Sequence, residues 1–151
     1  MSAAGQPLRA VIDTNLFVSG LISRYGQPQR LIVEFRRDAF SLVISEQLRS
    51  ELEEVLQRRK LRLRYGLTAE ETAAFLLLAD AKAAKVDPSG SLPIVIRDPK
   101  DAIVLAAALE GNVDYLVTGD NDLLVLDGDP SLGALRIVTV REFLAVLAHA
   151  Q

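Results

Sequence analysis

The sequence contains no cysteine and only one histidine, His149, which lies near the C-terminus. Without cysteine, disulfide bonds and thiolate zinc sites are excluded. With this one histidine at the end of the chain, we also exclude Ser-His-Asp catalysis, Cys-His catalysis and a histidine-rich metal cluster. Any chemistry must therefore come from carboxylates, hydroxyls, amides or basic side chains.

The chain also lacks a long uncharged apolar run, since none approaches the roughly 20 residues that span a bilayer. Its first ten residues lack the charged and apolar regions of a signal peptide, so we expect a cytoplasmic protein with no membrane partner. A net charge of −3 argues against non-specific coating of nucleic acid. Its length of 151 residues suits one domain. We expect a flexible start at residues 1–7 and the domain at 8–151.

Apolar segments of strand type alternate with segments of helical spacing. This alternation predicts an α/β fold, a three-layer α/β/α sandwich with a central, mainly parallel sheet. Two helices have clear start signals: Ser45 opens one that runs to about residue 59, and Thr68 opens another that runs to about residue 84. The predicted strands cover residues 8–12, 40–44, 94–96, 115–117 and 136–138.

Acidic residues follow three of the predicted strands. Asp13 follows the first strand, Asp98 and Asp101 follow the third, and Asp120 follows the fourth. In an open parallel sheet, ligands bind beyond the carboxyl ends of the strands, so we expect these acids to share one edge. Glu51 is the glutamate nearest the apolar stripe of its predicted helix, from which it could approach the same edge.

Each acid also has a purely structural explanation. Asp13 and Asp120 could serve only as helix caps, and Glu51 could lie at the border of its stripe with its carboxylate in water. Asp98, which precedes a proline, has the pattern of an N-cap. We prefer Asp101 as the ligand and Asp98 as the cap, because Asp101 lies at the base of a buried helix and points back towards the sheet edge.

Considered together, the acids predict a metal site. Carboxylates at close quarters repel one another unless a cation lies among them. Ligation by oxygen alone suits Mg²⁺ or Mn²⁺, and such a cluster is the usual machinery for hydrolysis of phosphodiesters. Asn15 and Thr118 are placed to orient ligands or water beside it.

A run of basic residues follows the helix that carries Glu51. Such a run is usually the solvated end of a helix, where cations also suit the helix dipole. The functional interpretation is a rim that contacts RNA phosphates or a partner protein. Both interpretations stay open for its five residues, which are Arg58, Arg59, Lys60, Arg62 and Arg64.

The segments VIDTN, SELEEVL, RDPKDAIVLAAAL and YLVTGDNDLL, in this order, resemble the PIN domain family. Within that family they are similar to the VapC-like toxins of bacterial toxin–antitoxin pairs. The resemblance covers about residues 8 to 145, and the ordered set makes it more specific than any single motif. It implies a compact α/β/α nuclease that cuts RNA with Mg²⁺ or Mn²⁺. It also implies a homodimer and a cognate antitoxin whose peptide occupies the groove.

The resemblance also implies the roles of individual residues. Asp122 matches an additional acidic position that some family members use for metal, and Asn15 and Thr118 match polar positions beside the site. The acidic quartet of the family falls on Asp13, Glu51, Asp101 and Asp120.

Other protein classes fit less well. A phosphatase of the haloacid dehalogenase type would carry a second aspartate where this chain has Asn15, and a response-regulator receiver would have paired acids after its first strand. No glycine-rich phosphate loop follows a strand, which argues against a nucleotide-binding module. A PIN-like fold that only binds RNA or protein remains an alternative, although the presence of all four acids argues against it.

Overall fold

The computed structural model describes residues 7–150 and is built around a five-stranded sheet. All four strand pairings are parallel, in the order β3-β2-β1-β4-β5, so the predicted parallel sheet is confirmed. The strands are β1 (Leu8–Ile12), β2 (Phe40–Ser45), β3 (Ala84–Val86), β4 (Tyr115–Val117) and β5 (Arg136–Val138).

Helices connect the strands and cover both faces of the sheet. Since successive residues of a strand point to opposite faces, Ile12 belongs to one apolar cluster and Val11 to the other. The first cluster is rich in phenylalanine from helices α1, α2, α5 and α8, and the second receives leucine and valine from α6, which confirms the three layers. The helices are α1 (Thr14–Ile22), α2 (Gln27–Arg36), α3 (Glu46–Leu56), α4 (Arg59–Tyr65), α5 (Ala69–Lys82), α6 (Pro99–Glu110), α7 (Asn121–Leu124) and α8 (Val140–Ala150).

Gly20 lies inside α1 for a steric reason. A Cβ atom at this position would lie 2.5 Å from the carbonyl oxygen of Pro28, at the start of α2. The glycine therefore lets α1 and α2 approach closely, despite its lower helix propensity. This approach packs the ring of Phe17 on that of Phe35, with ring centroids 6.0 Å apart.

The third strand was predicted in the wrong place. Residues 94–96 form no strand, and the corresponding strand of the sheet is β3, which pairs with β2. Ile94 and Ile96 pack against the second apolar cluster, while Val95 between them is 94% exposed. The alternating pattern thus reflects one buried side of a segment that is not a strand and whose backbone bends at residues 93 and 94. No sheet edge is open to this segment at β2, because β3 already occupies it.

Two helix ends also differ from the prediction. Helix α3 ends at Leu56, the last buried residue of its apolar stripe, and the extended backbone of Arg58 separates it from α4. Helix α5 ends at Lys82, since β3 begins at Ala84. A 3₁₀ turn at Pro130–Leu132 lies in the loop that leads to β5.

Only Pro7 of the predicted flexible start, residues 1–7, is among the described residues. Within residues 7–150, no helix is both long enough and apolar enough to cross a membrane.

Candidate functional site

The pairing of β1 with β4 brings the first two site residues together. Ile12 is paired with Val117, and the N–H of Asp13 donates to the carbonyl oxygen of Val117 at 2.9 Å. The residues that follow these two strands are then neighbours: the Thr118 hydroxyl donates to Oδ2 of Asp13 at 2.9 Å. Both side chains are buried, with Thr118 fully enclosed.

The same hydroxyl also fixes the second acid. Oγ1 of Thr118 accepts the backbone N–H of Asp120 at 3.1 Å, so one buried group joins Asp13 and Asp120. Each acid caps the helix that follows it. Asp13 accepts the N–H of Asn15 at 3.1 Å, and Asp120 accepts that of Asp122 at 2.8 Å. The caps predicted as structural explanations are therefore present, and the same carboxylates still face a common site.

Helix α6 supplies acids with two different environments. Asp98 is exposed and accepts the N–H of Lys100 at 2.9 Å, as an N-cap does. Asp101, in the first turn, is only 6% exposed. The helix thus directs Asp101 inwards and leaves Asp98 at the rim.

Three carboxylates come close enough to share a cation. One oxygen from each of Asp101, Asp120 and Asp122 lies within 4.8 Å of the others. Asp13 stands beside them, and its charge acts on Asp101. We call these four residues the acidic cluster. It runs from the buried Asp13 and Asp101 to the exposed Asp122, so one side is open to solvent.

The electrostatics of the acidic cluster are unfavourable without a cation. Burial raises the pKa of Asp101 to about 7, and a hydrogen bond with Asp120 and the charges of Asp120, Asp98 and Asp13 add to the effect. Near neutral pH this carboxyl therefore retains a proton part of the time. A bound cation would displace that proton, since metal binding favours the ionised ligand.

Glu51 does not belong to the group of mutually close carboxylates, and its charge is not among those that raise the pKa of Asp101. It lies half-buried on α3, a helix that packs against α1 and α6. Helix α3 begins directly after β2, so the first turn of this helix, at residues 46–49, lies at the same end of the sheet.

The basic run forms α4 and the residue before it. No residue of α4 is buried, and Arg58 pairs with Glu54 at 3.4 Å. The Arg64 guanidinium lies 5.5 Å from the centre of the Tyr65 ring. Arg59 and Lys60 are exposed, which leaves their charges accessible to a partner.

A model of the PIN domain family matches residues 9–122. The chain belongs to the PIN domain family. The matched range contains all the acids described above, and it rules against the haloacid dehalogenase alternative. PIN domains are typically nucleases that use divalent metal ions.

Comparison with solved structures agrees with this assignment. The PIN domain is similar to a chain in the crystal structure of VapBC2 from Rickettsia felis bound to a DNA fragment from their promoter. The TM-score is 0.55 at 15% identity, over 87% of this chain and 98% of that one. At this identity the similarity shows a shared fold. A comparison with curated proteins finds no match.

Proposed function

We propose that this PIN domain is a metal-dependent endoribonuclease, the toxin of a toxin–antitoxin pair. The observation that carries the proposal is the convergence of four carboxylates at the carboxyl edge of a parallel sheet, with the pKa of the most crowded one raised to about 7. The helix caps made by Asp13 and Asp120 do not require the carboxylates to lie together, and the mutual repulsion of the carboxylates opposes folding.

The residues present suit Mg²⁺ or Mn²⁺. All the donors are oxygens, and three of them, from Asp101 of α6 and from Asp120 and Asp122 at the start of α7, lie within 4.8 Å of one another. Asp13, Asp101 and Asp120 would hold the ion, with Asp122 at the rim and Glu51 contributing directly or through water. When bound, the ion would supply positive charge to the phosphate and lower the pKa of a water molecule.

The protein's own contribution is to position these groups. Thr118 holds Asp13 and Asp120 at fixed separation through its two hydrogen bonds. Asp98 caps α6 and so fixes the turn that carries Asp101. Asn15 fixes the orientation of Asp13 through its backbone N–H. The open side of the acidic cluster at Asp122 leaves room for an RNA phosphate.

Metal-dependent cleavage of a mixed RNA pool tests the proposal. We expect internal cleavage of the RNA strands with Mn²⁺ or Mg²⁺ and no cleavage with chelator. Cleavage should recover when Mn²⁺ is restored. Ca²⁺ should bind but support little turnover, since its looser coordination orients the reacting groups less strictly. Binding of RNA with no cleavage under any of these conditions would favour the non-catalytic alternative, a PIN-like module that only binds RNA or protein.

A cognate antitoxin is the proposed protein partner, and a homodimer the proposed assembly. The support is the likeness of this chain to one in the VapBC2 structure, together with the sequence resemblance to VapC-like toxins. Co-expression with the product of an adjacent reading frame tests the partner. A stable complex that no longer cleaves RNA is expected, whereas full activity in the presence of that product would contradict it.

The basic run, Arg58 to Arg64, is a second proposed binding surface for RNA or the antitoxin. Replacing Arg58, Arg59 and Lys60 with glutamine should make RNA binding less dependent on salt, because fewer counterions are released. The slope of log affinity against log salt is negative. We expect its magnitude to decrease by about 0.7 for each phosphate of single-stranded RNA that these side chains no longer neutralise. An unchanged slope would leave the run as a solvated helix.

A further inference from the structure

The segment from residue 87 to residue 97, here called the open strip, makes no hydrogen bond to any part of the chain that the structure describes. It connects β3 to Asp98 and contains two prolines, Pro88 and Pro93. The backbone N–H groups of its other residues are therefore left for water or for a ligand. So long a run without partners is unusual, because folded chains average about one internal hydrogen bond per residue.

Apolar side chains hold the open strip in place. Leu92, Ile94 and Ile96 are half-buried and pack against the second apolar cluster beside α6. The residues that alternate with them face solvent: Pro93 and Arg97 are exposed, and Val95 is 94% exposed. The strip is thus an irregular segment, with bends at residues 90, 93, 94 and 97, that has one anchored side and one free side.

Two cations at the end of the open strip are uncommitted. The side chains of Arg97 and Lys100 are exposed and make no ion pair or hydrogen bond with the described residues. Some basic residues are engaged, as Arg136 is with Asp127 at 3.0 Å, while others, such as Arg59 and Lys60, are also accessible, so it is their position that distinguishes Arg97 and Lys100. Arg97 and Lys100 flank Asp98, whose charge reaches Asp101. These free cations therefore stand at the border of the acidic cluster.

We propose that the open strip, with Arg97 and Lys100, binds the phosphate backbone of single-stranded RNA and leads it to the acidic cluster. This inference rests on the proposed ribonuclease function. The acidic cluster repels phosphates, so a substrate has to be held by groups next to it. Lysine, arginine and backbone N–H groups are the usual partners of phosphate oxygens, and the strip offers all three.

A protein strand is the other occupant that a segment with free backbone groups can bind, through alternating N–H and carbonyl groups. Charge favours RNA instead. Pairing with a strand requires no cations, whereas Arg97 and Lys100 add positive charge on either side of Asp98, next to the acids that a polyanion has to approach. The irregular strip with its prolines is also a poor ladder, because proline lacks an N–H.

Binding and cleavage of a fluorescent oligoribonucleotide test the proposal. Binding is measured with Asp13→Asn protein at several salt concentrations, and cleavage with otherwise wild-type protein and Mn²⁺. Replacing both Arg97 and Lys100 with glutamine should decrease the magnitude of the slope of log affinity against log salt by about 1.4, or about 0.7 for each of two phosphates. It should raise KM and leave kcat within a few-fold. The matched control replaces Arg30 and Arg36 of α2 with glutamine, which is the same change of charge. This control should change neither the salt dependence of RNA binding nor KM.

Hydrogen exchange supplies the second measurement. The amides of residues 87–97 should exchange rapidly in the free protein and become protected when RNA is added. An unchanged slope and KM, with no protection, would overturn the proposal while cleavage by the wild type leaves the ribonuclease function standing. Protection by the antitoxin but not by RNA would overturn it as well and assign the strip to a protein strand. Absence of both RNA binding and cleavage in the wild type would overturn the two proposals together.

Discussion

Replacing Asp13 with asparagine should abolish RNA cleavage in the presence of Mn²⁺ while leaving the fold intact. The amide keeps the shape of the side chain: its oxygen can still accept the N–H of Asn15, and its NH2 group can donate to the hydroxyl of Thr118, which now acts as an acceptor. It also remains a good cap for α1. The substitution removes one negative charge from the site. Removal of one electrostatic group aimed at the reacting centre typically costs on the order of 10²–10³-fold in rate, and we expect at least that reduction.

The measurement is the initial rate of cleavage of the mixed RNA pool by wild type and variant, each with Mn²⁺ and with chelator. Asp129→Asn is the matched control, since Asp129 also caps a turn through its side chain, outside the acidic cluster. This control should cleave as the wild type does. Equal activity in every reaction, including those with chelator, would indicate a contaminating nuclease and remove the support for the enzyme.

The parallel sheet and its acidic edge were predictable because they follow from local patterns. Consecutive apolar residues at Ala10–Ile12 mark a strand buried on both faces, and alternation with helices requires crossover connections. Once the strands are parallel, residues that follow them meet at one edge. Asp13 and Asp120 could therefore be placed together from the sequence alone.

Features that depend on packing between distant residues were not predictable. The pattern of residues 92–96 is the same whether the segment pairs with a strand or only packs against a helix. Which of these occurs depends on the edge of β2, taken here by β3. The joining of Asp13 to Asp120 by Thr118 follows from the pairing of β1 with β4, which the sequence does not specify. For Glu51, the sequence does not specify the rotation of α3 against α1 and α6.

The second large effect expected concerns the stability of the metal-free protein, which should fall as the pH rises from about 4 to 7. Burial and neighbouring charges raise the pKa of Asp101 to about 7 in the folded state, against about 3.9 in an unfolded chain. Between these values the unfolded chain has released the proton and the folded chain has kept it, so a higher pH favours unfolding. The full cost above pH 7 is about 4 kcal/mol at most.

Asp80 and Asp127 act in the opposite direction at lower pH. Hydrogen bonds from arginines lower the pKa of both carboxyls, so their contributions to stability are present above the unfolded pKa and disappear as the pH falls through the folded one. Stability of the metal-free protein should therefore be greatest near about pH 4, above the range in which Asp80 and Asp127 lose their contributions and below the range in which the contribution of Asp101 is lost.

Asp101→Asn isolates the contribution of this one carboxyl. In chelator at pH 8, the variant should unfold at a higher temperature than the wild type, by several degrees, since about 1 kcal/mol corresponds to roughly 3 °C for a chain of this length. Near pH 4 the difference should vanish, because the wild-type carboxyl is then neutral as well. Mn²⁺ should raise the melting temperature of the wild type at pH 8 and have little effect on the variant. Parallel curves of melting temperature against pH for the two proteins would show that Asp101 ionises normally, and the crowded carboxylates would no longer indicate a metal site.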